Sequence, residues 1–375
     1  MVERLWFKLD VTKLTKELIA RKSINPGGNE IEIFKYVKKL LDKNKFSYKE
    51  YILEKNHPNL LIDFSKTNHK KTVFFAGHLD TVPFGKKKWK YDPINPKLAR
   101  NKLYGRGSTD MKGGVASFIS AAINLKNFKF SKANLKGILV SKEETGCEGS
   151  NFISKYLNYE NALVIVVPEP TDNIPLVGHK GVIWLKLIVD GKSAHGSSPE
   201  FGENSIYKSI KIIEKIKLLK FNDIHQYLGK PTLNVGMFKS GQNINSVPDL
   251  AEIFVDIRTV GPNKKYLDKI KKFIKNKCRL EIIANQELVY NNKWQSLENL
   301  EILRKISKYN NKKFKPLTAK YFTDAAPLQK VYKNPFTVIL GPGITSLAHQ
   351  TNEYVITNEL NKSKKMFKDI IKNFC

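Results

Sequence analysis

The chain has few cysteines and no long apolar run, and each absence excludes a class of protein. Only three cysteines occur among 375 residues, and none forms a Cys-x-x-Cys pair. This argues against a disulfide framework or a thiolate zinc site and favours a reducing compartment. No stretch approaches the roughly 20 consecutive apolar residues of a membrane helix, and residues 1–14 lack the features of a secretory signal. We therefore expect a cytoplasmic protein.

Arginine is also scarce, although the chain is strongly basic. The formal net charge is +30, yet 58 of the 65 basic residues are Lys and only 7 are Arg. Nucleic-acid sites favour Arg, whose planar group donates paired hydrogen bonds and stacks on bases. The lysines are spread along the whole chain, which indicates a codon bias and solvated faces rather than one binding patch. A non-catalytic, Lys-rich polyanion-binding protein is the alternative from another functional class.

The spacing of apolar residues predicts an α/β fold with an inserted domain. Apolar strands followed by polar loops, with helices between them, indicate a sheet covered on both faces. The strands of this part are predicted at residues 59–64, 72–76, 135–141, 163–167 and 336–340. The middle of the chain has the order β-α-β-β-α-β, the split βαβ arrangement. We expect a catalytic domain formed by residues 1–178 and 290–375, and an inserted domain at 179–289.

Histidines and carboxylates follow the predicted strands at the points where the strands end. Ligands of open α/β sheets bind outside the carboxyl ends of the strands, and imidazole and carboxylate groups suit zinc. Any single residue of this kind can be a cap or a solvated side chain, but the set together predicts a metal site. Its members are His78, Asp80, Asp110, Glu143, Glu144, Glu169 and His349.

Two pairs within this set suggest a division of roles. Residues i and i+2 of an extended segment point the same way, so the Asp80 carboxylate can accept the unused N–H of His78 and fix its tautomer. The alternative is an Asp that caps the following turn. Neighbouring Glu143 and Glu144 point apart, so one can ligate a metal while the other carries protons. The alternative for this pair is an exposed acidic turn.

The motifs around these residues resemble the acetylornithine deacetylase and succinyl-diaminopimelate desuccinylase family of dinuclear zinc amidohydrolases. The resemblance extends from about residue 57 to residue 354 and is far more specific for the family than for the substrate. The segments that carry it are Gly77–Pro83, Tyr104–Gly114, Glu143–Gly146, Glu169–Thr171, Ser193–Gly196, Asn245–Pro248, Asp256–Arg258 and Ala348–Gln350. It implies a zinc-peptidase-like mixed sheet flanked by helices, with a ferredoxin-like inserted domain that serves as lid and dimerisation domain.

The resemblance also implies a role for each residue of the predicted metal site. His78 and Glu169 would hold one zinc ion. Glu144 and His349 would hold the other, and Asp110 would bridge both. Asp80 would orient His78, and Glu143 would be the general base. The peptide bond between Asp110 and Met111 is expected to be cis. Cobalt is expected to be able to substitute for zinc.

Three residues of the inserted domain receive roles from the resemblance alone. His195 would reach the active site of the partner subunit in a homodimer and donate to the developing oxyanion. Its alternative is a turn residue beside Gly196. Asn245 and Arg258 would bind the carboxylate and neighbouring polar groups of the substrate.

The substrate that the resemblance favours is N2-acetylornithine, hydrolysed to ornithine and acetate in arginine biosynthesis. Residues 83–84, 323–327 and 340–354 look closest to acetylornithine deacetylases, and the Ser-Asp-Gly-Arg-like run of the desuccinylase branch is missing. Two alternatives stay open. One is N-succinyl-diaminopimelate, a substrate of lysine biosynthesis. The other is a peptide, as for a dipeptidase or carboxypeptidase of the same superfamily.

Overall fold

The computed structural model describes residues 9–157, 161–275 and 277–375, and the backbone divides into two compact units. The first contains the described residues up to Gly178, together with Tyr290–Leu317 and Thr323–Cys375. The second contains His179–Val289 and Thr318–Phe322. Residues 1–8, on which the expectation about a secretory signal partly rests, lie outside the described ranges. Among the described residues, no helix combines the length and apolar character that crossing a bilayer demands.

The segment Thr318–Phe322 joins the second unit, although the sequence analysis places it within 290–375. Two contacts inside the second unit account for this. Thr318 Oγ1 donates to the main-chain oxygen of Tyr227 at 2.7 Å, and the rings of Trp184 and Phe322 meet edge to face at 5.4 Å. A short segment of this kind belongs to the unit that it contacts, even when its neighbours in the chain belong to the other unit.

The described residues form α-helices of seven to 18 residues. They are α1 (Val11–Ile19), α2 (Ile31–Lys43), α3 (Lys112–Asn124), α4 (Glu148–Ser154), α5 (Ser205–Leu218), α6 (Asn263–Ile274), α7 (Leu297–Ser307), α8 (Ala325–Val331) and α9 (Thr357–Phe374). The shortest are α4 and α8, with seven residues each. Asp10 caps α1 by accepting from the backbone N–H groups of Thr12 and Lys13, as a residue before a first helical turn commonly does.

The strands include all those expected from the sequence and several short ones. They are β1 (Ser47–Glu54), β2 (His57–Asp63), β3 (Lys71–His78), β4 (Lys97–Ala99), β5 (Lys102–Tyr104), β6 (Asn134–Val140), β7 (Asn161–Val167), β8 (Leu176–His179), β9 (Gly181–Asp190), β10 (Ala194–His195), β11 (Thr232–Ser240), β12 (Ser246–Val247), β13 (Leu250–Thr259), β14 (Arg279–Gln286), β15 (Val289–Tyr290), β16 (Leu317–Ala319), β17 (Phe336–Ile339) and β18 (Tyr354–Ile356). The short strands β8, β15 and β16 lie where the chain passes between the units.

The first unit is built on a mixed sheet in which β1, β2, β6, β3, β7 and β17 are neighbours in that order. Strands β6, β3, β7 and β17 run parallel, whereas β1 and β2 are antiparallel to their neighbours. Helices cover both faces: Phe75 of β3 stacks on Phe118 of α3, and Phe74 stacks on Tyr332 after α8. Since the four parallel strands share a direction, their carboxyl ends meet at one edge.

The second unit is a four-stranded antiparallel sheet with two helices. Its strand order is β11, β13, β9, β14, which together with the β-α-β-β-α-β sequence of elements is the ferredoxin-like arrangement. Alternate residues of β9, beginning at Ile183, enter the core, as the two-residue period of a strand requires. They pack against Ile212 and Ile216 of α5 and against Tyr266 and Ile270 of α6.

Candidate metal centre

The predicted metal-site residues of the first unit all lie at the edge where the parallel strands end. They occupy the end of β3 (His78), the turn after β6 (Glu143 and Glu144), the loop after β7 (Glu169), the loop after β17 (His349) and the residues just before α3 (Asp110). Glycines allow these loops to approach one another. A Cβ at Gly341 would lie 2.4 Å from the main-chain oxygens of Pro168 and Glu169, so only glycine lets the two loops meet.

Atoms that could bind a metal form two groups, and both include Asp110. In the first, His78 Nε2 lies 3.4 Å from Asp110 Oδ1 and 3.7 Å from Glu169 Oε1. In the second, His349 Nε2 lies 3.2 Å from Asp110 Oδ2 and 3.1 Å from Glu144 Oε2. Within each group the candidate atoms lie within 4.8 Å of one another. Each carboxylate oxygen of Asp110 thus faces one group, as a bridging ligand would.

Glu143 belongs to a third group, with His78 and Glu144. Its Oε2 lies 3.9 Å from His78 Nε2, and the thiol of Cys147 lies 3.6 Å from its Oε1. The side chain is buried, whereas that of His349 is 51% exposed. The site is therefore open on the side of His349 and closed around Glu143.

The donor set fits divalent cations such as zinc. His78 Nδ1 lies 3.1 Å from the main-chain oxygen of Asp80 and 3.4 Å from its Oδ1. A proton on Nδ1 satisfies these acceptors and leaves the Nε2 lone pair facing Asp110 and the rest of the first group. Glu144 Oε1 is buried and has no hydrogen-bond partner among the described residues. A buried oxygen of this kind requires a partner, and a cation would supply it.

Burial shifts the pKa values of the carboxyl groups at the site. It raises the pKa of Glu143 and Glu169 well above the usual range and also raises that of Glu144, because burial disfavours a charged carboxylate. The negative charge of Asp110 adds to the pKa increase of Glu144 and Glu169. Burial acts upward on Asp110 too, but its hydrogen bonds to His349 and His78 outweigh it and hold the pKa of Asp110 below the usual range.

The same contacts raise the pKa values of the two histidines. Hydrogen bonds to Asp110 and Glu144 raise the pKa of His349 to about 10. Burial alone would lower the pKa of His78, but hydrogen bonds to Asp110 and Asp80 outweigh it, and the pKa rises well above its usual value. The crowded carboxylates thus attract positive charge, and metal ions could replace these protons.

Asp80 is fully buried and connects β3 to the turn that carries Glu143 and Glu144. Its Oδ1 accepts from the N–H of Glu143 at 3.1 Å, and its Oδ2 accepts from the N–H of Glu144 at 3.2 Å. The side chain of Asn25 also donates to Oδ2, at 3.1 Å. Sequence reasoning assigns Asp80 a role toward His78, whereas the structure places it against the turn as well.

The loop that presents Asp110 is held by a carboxylate that the sequence analysis does not identify, Glu353. Its Oε1 accepts from the N–H groups of Thr109 at 2.8 Å and Asp110 at 3.1 Å. Its Oε2 accepts from the N–H of Gly107 at 3.2 Å and from Arg106 Nη1 at 2.7 Å. The peptide bond that follows Asp110 is cis, which confirms that expectation. Glu353 therefore fixes the backbone that presents Asp110.

Glu353→Gln is expected to reduce the free energy of unfolding by about 3 kcal/mol, because it leaves the Arg106 charge buried without its partner. Arg106 is 3% exposed and Glu353 is fully buried. Urea unfolding of the two proteins measures the difference. The matched control is Glu301→Gln, an exposed carboxylate on α7, which should change the free energy by less than about 0.5 kcal/mol. Equal effects of the two substitutions would contradict the role given to Glu353.

Asp324 is a second buried acid that the sequence analysis leaves without a function. It is fully buried before α8, and burial raises its pKa to about 6. Its charge contributes to the raised pKa values of Glu143 and Glu169. The signal that could have identified it is a single Asp directly before an apolar segment, at residues 325–328.

His195 and Asn245 lie in the second unit. His195 is exposed in β10, which pairs with β12, and Asn245 directly precedes β12. The backbone N–H of Ser197 donates to His195 Nδ1 at 3.2 Å, so the ring proton stays on Nε2. The main-chain oxygen of Asn245 accepts from the N–H of Gly196 at 2.7 Å. These two residues are thus held close together, with an Nε2–H donor available on His195.

Arg258, also in the second unit, donates hydrogen bonds within that unit from two of its guanidinium nitrogens. Nε and Nη2 donate to Asp256 Oδ2 at 3.1 Å and 2.9 Å, and the group lies 5.4 Å from the centre of the Phe322 ring. Nη1 is buried and has no hydrogen-bond partner within the described ranges. A buried guanidinium nitrogen without a partner is suited to an anionic ligand.

Comparisons with known proteins show which family the chain is similar to. The model of the peptidase family M20/M25/M40 matches residues 74–373. A succinyl-diaminopimelate desuccinylase of Wolbachia pipientis wMel is 30% identical over 383 residues, which cover 98% of this chain and 94% of that protein. An acetylornithine deacetylase of Buchnera aphidicola is 30% identical over 380 residues, 97% of each chain. An M20 family metallo-carboxypeptidase of Sulfolobus solfataricus shares the fold, with a TM-score of 0.82 at 20% identity over 98% of this chain and 99% of that chain.

Proposed function

The chain belongs to the peptidase family M20/M25/M40, and on this basis we propose that it is a two-zinc hydrolase that removes an acyl group from the nitrogen of an amino acid. The observation that carries the proposal is the pair of ligand groups that meet at Asp110 beside Glu143. His78 and Glu169 would hold one zinc ion, Glu144 and His349 the other. Cobalt, which accepts the same ligands, would substitute for zinc.

Glu143 is the proposed general base. Bound zinc ions would polarise the amide carbonyl and lower the pKa of a water molecule from about 15.7 toward about 7. Glu143 would accept a proton as water attacks the carbonyl carbon and would pass it to the nitrogen when the C–N bond breaks. Its burial supports this role, because a raised pKa brings a carboxyl group closer to the range in which it exchanges protons. The products are a carboxylate and a free amine.

His195 is the proposed donor to the oxyanion, acting from the partner subunit of a homodimer. Its exposed side chain and its Nε2–H support this role, and a donor of this kind is worth roughly 3 kcal/mol. Dimerisation is supported by large apolar side chains on the surface of the second unit: Tyr207 is 66% exposed, Ile210 46% and Met237 43%. Met237 lies on β11, which is an edge strand of the sheet formed by the described residues, and an edge strand can pair with another chain.

The proposed substrate is N2-acetylornithine, with its carboxylate bound by Arg258 and its polar groups by Asn245. The unpartnered Nη1 of Arg258 supports carboxylate binding, and the segments at residues 83–84, 323–327 and 340–354 favour the acetylated substrate. N-succinyl-diaminopimelate is the second candidate, because a desuccinylase and a deacetylase are equally similar to this chain.

A panel of substrates tests the proposal. We expect the zinc-loaded protein to hydrolyse N2-acetylornithine with a kcat/KM at least about 10-fold above that for N-succinyl-diaminopimelate or for dipeptides, a difference that one or two pocket contacts can supply. Release of free amine measures turnover. A parallel preparation of Glu143→Gln controls for contaminating hydrolases. Faster hydrolysis of the succinyl compound would select the second candidate, and no turnover of any amide in the panel would contradict the hydrolase.

A further inference from the structure

Glu30 is a buried carboxyl group outside the proposed catalytic set. It directly precedes α2 and is fully buried. Its Oε1 accepts from Asn25 Nδ2 at 2.6 Å and from the backbone N–H of Lys142 at 3.1 Å. Its Oε2 lies 2.5 Å from Nδ1 of His57, which is 9% exposed. Burying a carboxyl group is costly unless it is hydrogen-bonded or paired. The hydrogen-bond partners of Glu30 therefore indicate its role.

The turn after β6 is held by three successive backbone N–H groups. Lys142 donates to Glu30, and Glu143 and Glu144 donate to the two oxygens of Asp80, over distances of 3.1–3.2 Å. Lys142 has a φ of +54°, a conformation that few residues other than glycine adopt. Such a backbone persists only where its surroundings impose it. The two carboxyl groups therefore impose the shape of the turn that carries Glu143 and Glu144.

Asn25 joins these two carboxyl groups to each other. Its Nδ2 donates to Glu30 Oε1 at 2.6 Å and to Asp80 Oδ2 at 3.1 Å. Its own backbone N–H donates to the main-chain oxygen of Thr81 at 2.8 Å, which fixes it beside the residues that follow β3. The network thus connects α2, the end of β3 and the Glu143–Glu144 turn through buried groups.

We propose that Glu30 is a positioning residue for the hydrolytic reaction: by accepting from Lys142 and Asn25, it places the Glu143 and Glu144 carboxylates relative to His78. This inference rests on the proposed function. At Oε1 the contacts require an acceptor oxygen rather than a negative charge, because Lys142 and Asn25 both donate neutral N–H groups. In agreement, burial, together with the charge of Asp80, raises the pKa of Glu30 to about 8, which favours the neutral form of the group.

Two substitutions at Glu30 test this proposal. Glu30→Ala removes the acceptor, and we expect it to lower kcat about 10- to 100-fold with little change in KM and to weaken zinc binding about 10-fold. Glu30→Gln keeps an amide oxygen that can accept from Lys142, and Gln occupies nearly the same volume as Glu. Its kcat and its zinc affinity should therefore both stay within about threefold of those of the unmodified protein. Glu32→Ala, at a residue of the adjacent helix α2 whose side chain is 66% exposed, is the matched control and should change neither kcat nor zinc affinity.

The measurements are kcat and KM on the best substrate of the panel and zinc affinity by competition with a chelator. Both are made well below the unfolding temperature of each variant. Normal kcat and zinc affinity in Glu30→Ala would overturn the proposal. So would a Glu30→Gln protein as impaired as Glu30→Ala, or a loss that only tracks the folded fraction. If no substrate is hydrolysed even by the unmodified protein, the proposed function fails, whereas the zinc competition still decides the role of Glu30.

Discussion

Glu143→Gln is expected to lower kcat about 10³- to 10⁴-fold while the protein keeps its metal. The amide has the shape of the carboxyl group but cannot accept a proton from water, and a positioned general base contributes up to about 10⁴-fold to a rate. The groups formed by His78, Asp110 and Glu169 and by Asp110, Glu144 and His349 stay complete in this variant. Steady-state kinetics and elemental analysis of the same sample measure the two quantities.

Glu144→Gln is the matched comparison for this experiment. It makes the same substitution at the neighbouring residue, yet it removes the negative charge of a carboxylate that lies 3.1 Å from His349 Nε2. We therefore expect this variant to lose metal as well as activity. If Glu143→Gln also lost its metal, or if it retained most of its kcat, Glu143 would be a ligand or a bystander and not the base.

Removal of the metal is expected to abolish turnover, by at least about 10³-fold, because neither the polarised carbonyl nor the activated water is then available. Added zinc or cobalt should restore the rate. The thermal midpoint should rise on adding metal, since a ligand that binds only the folded state at 100 times its Kd stabilises that state by about 2.7 kcal/mol. Magnesium, which prefers oxygen ligands, is the control ion. Full turnover after exhaustive chelation would contradict the metal-dependent mechanism.

The location of the candidate metal site could be predicted because its residues follow strands with uninterrupted apolar runs. Residues 73–76 of β3 and 164–167 of β7 are buried, as expected for strands covered on both faces. The residues after parallel strands of one sheet meet at one edge, whatever the loops between them do. His78 and Glu169 could therefore be named without any knowledge of contacts.

Elements without such a signal could not be predicted. Strand β1 is a largely exposed edge strand in which polar and apolar residues mix. Helices α4 and α8 have seven residues each, about two turns, which is too short for a helical period to stand out. Their existence depends on packing against the sheet, a property that a local pattern does not contain.

The contacts that hold the loops join residues far apart in the sequence. Arg106 and Glu353 are separated by 247 positions, and Glu30 and Lys142 by 112. Apolar periodicity reports which face of an element is buried, but not which loop it will meet. A buried Glu in a polar segment therefore looks like a solvated one until the fold places a donor beside it.

The proposed function requires two cations, one on either side of Asp110. Anomalous X-ray scattering from crystals of the zinc-loaded protein, recorded at the zinc edge, tests it most directly. We expect two peaks, one beside His78 and Glu169 and one beside Glu144 and His349. Peaks only at other residues, or no peak at this edge of the sheet at full zinc loading, would contradict it.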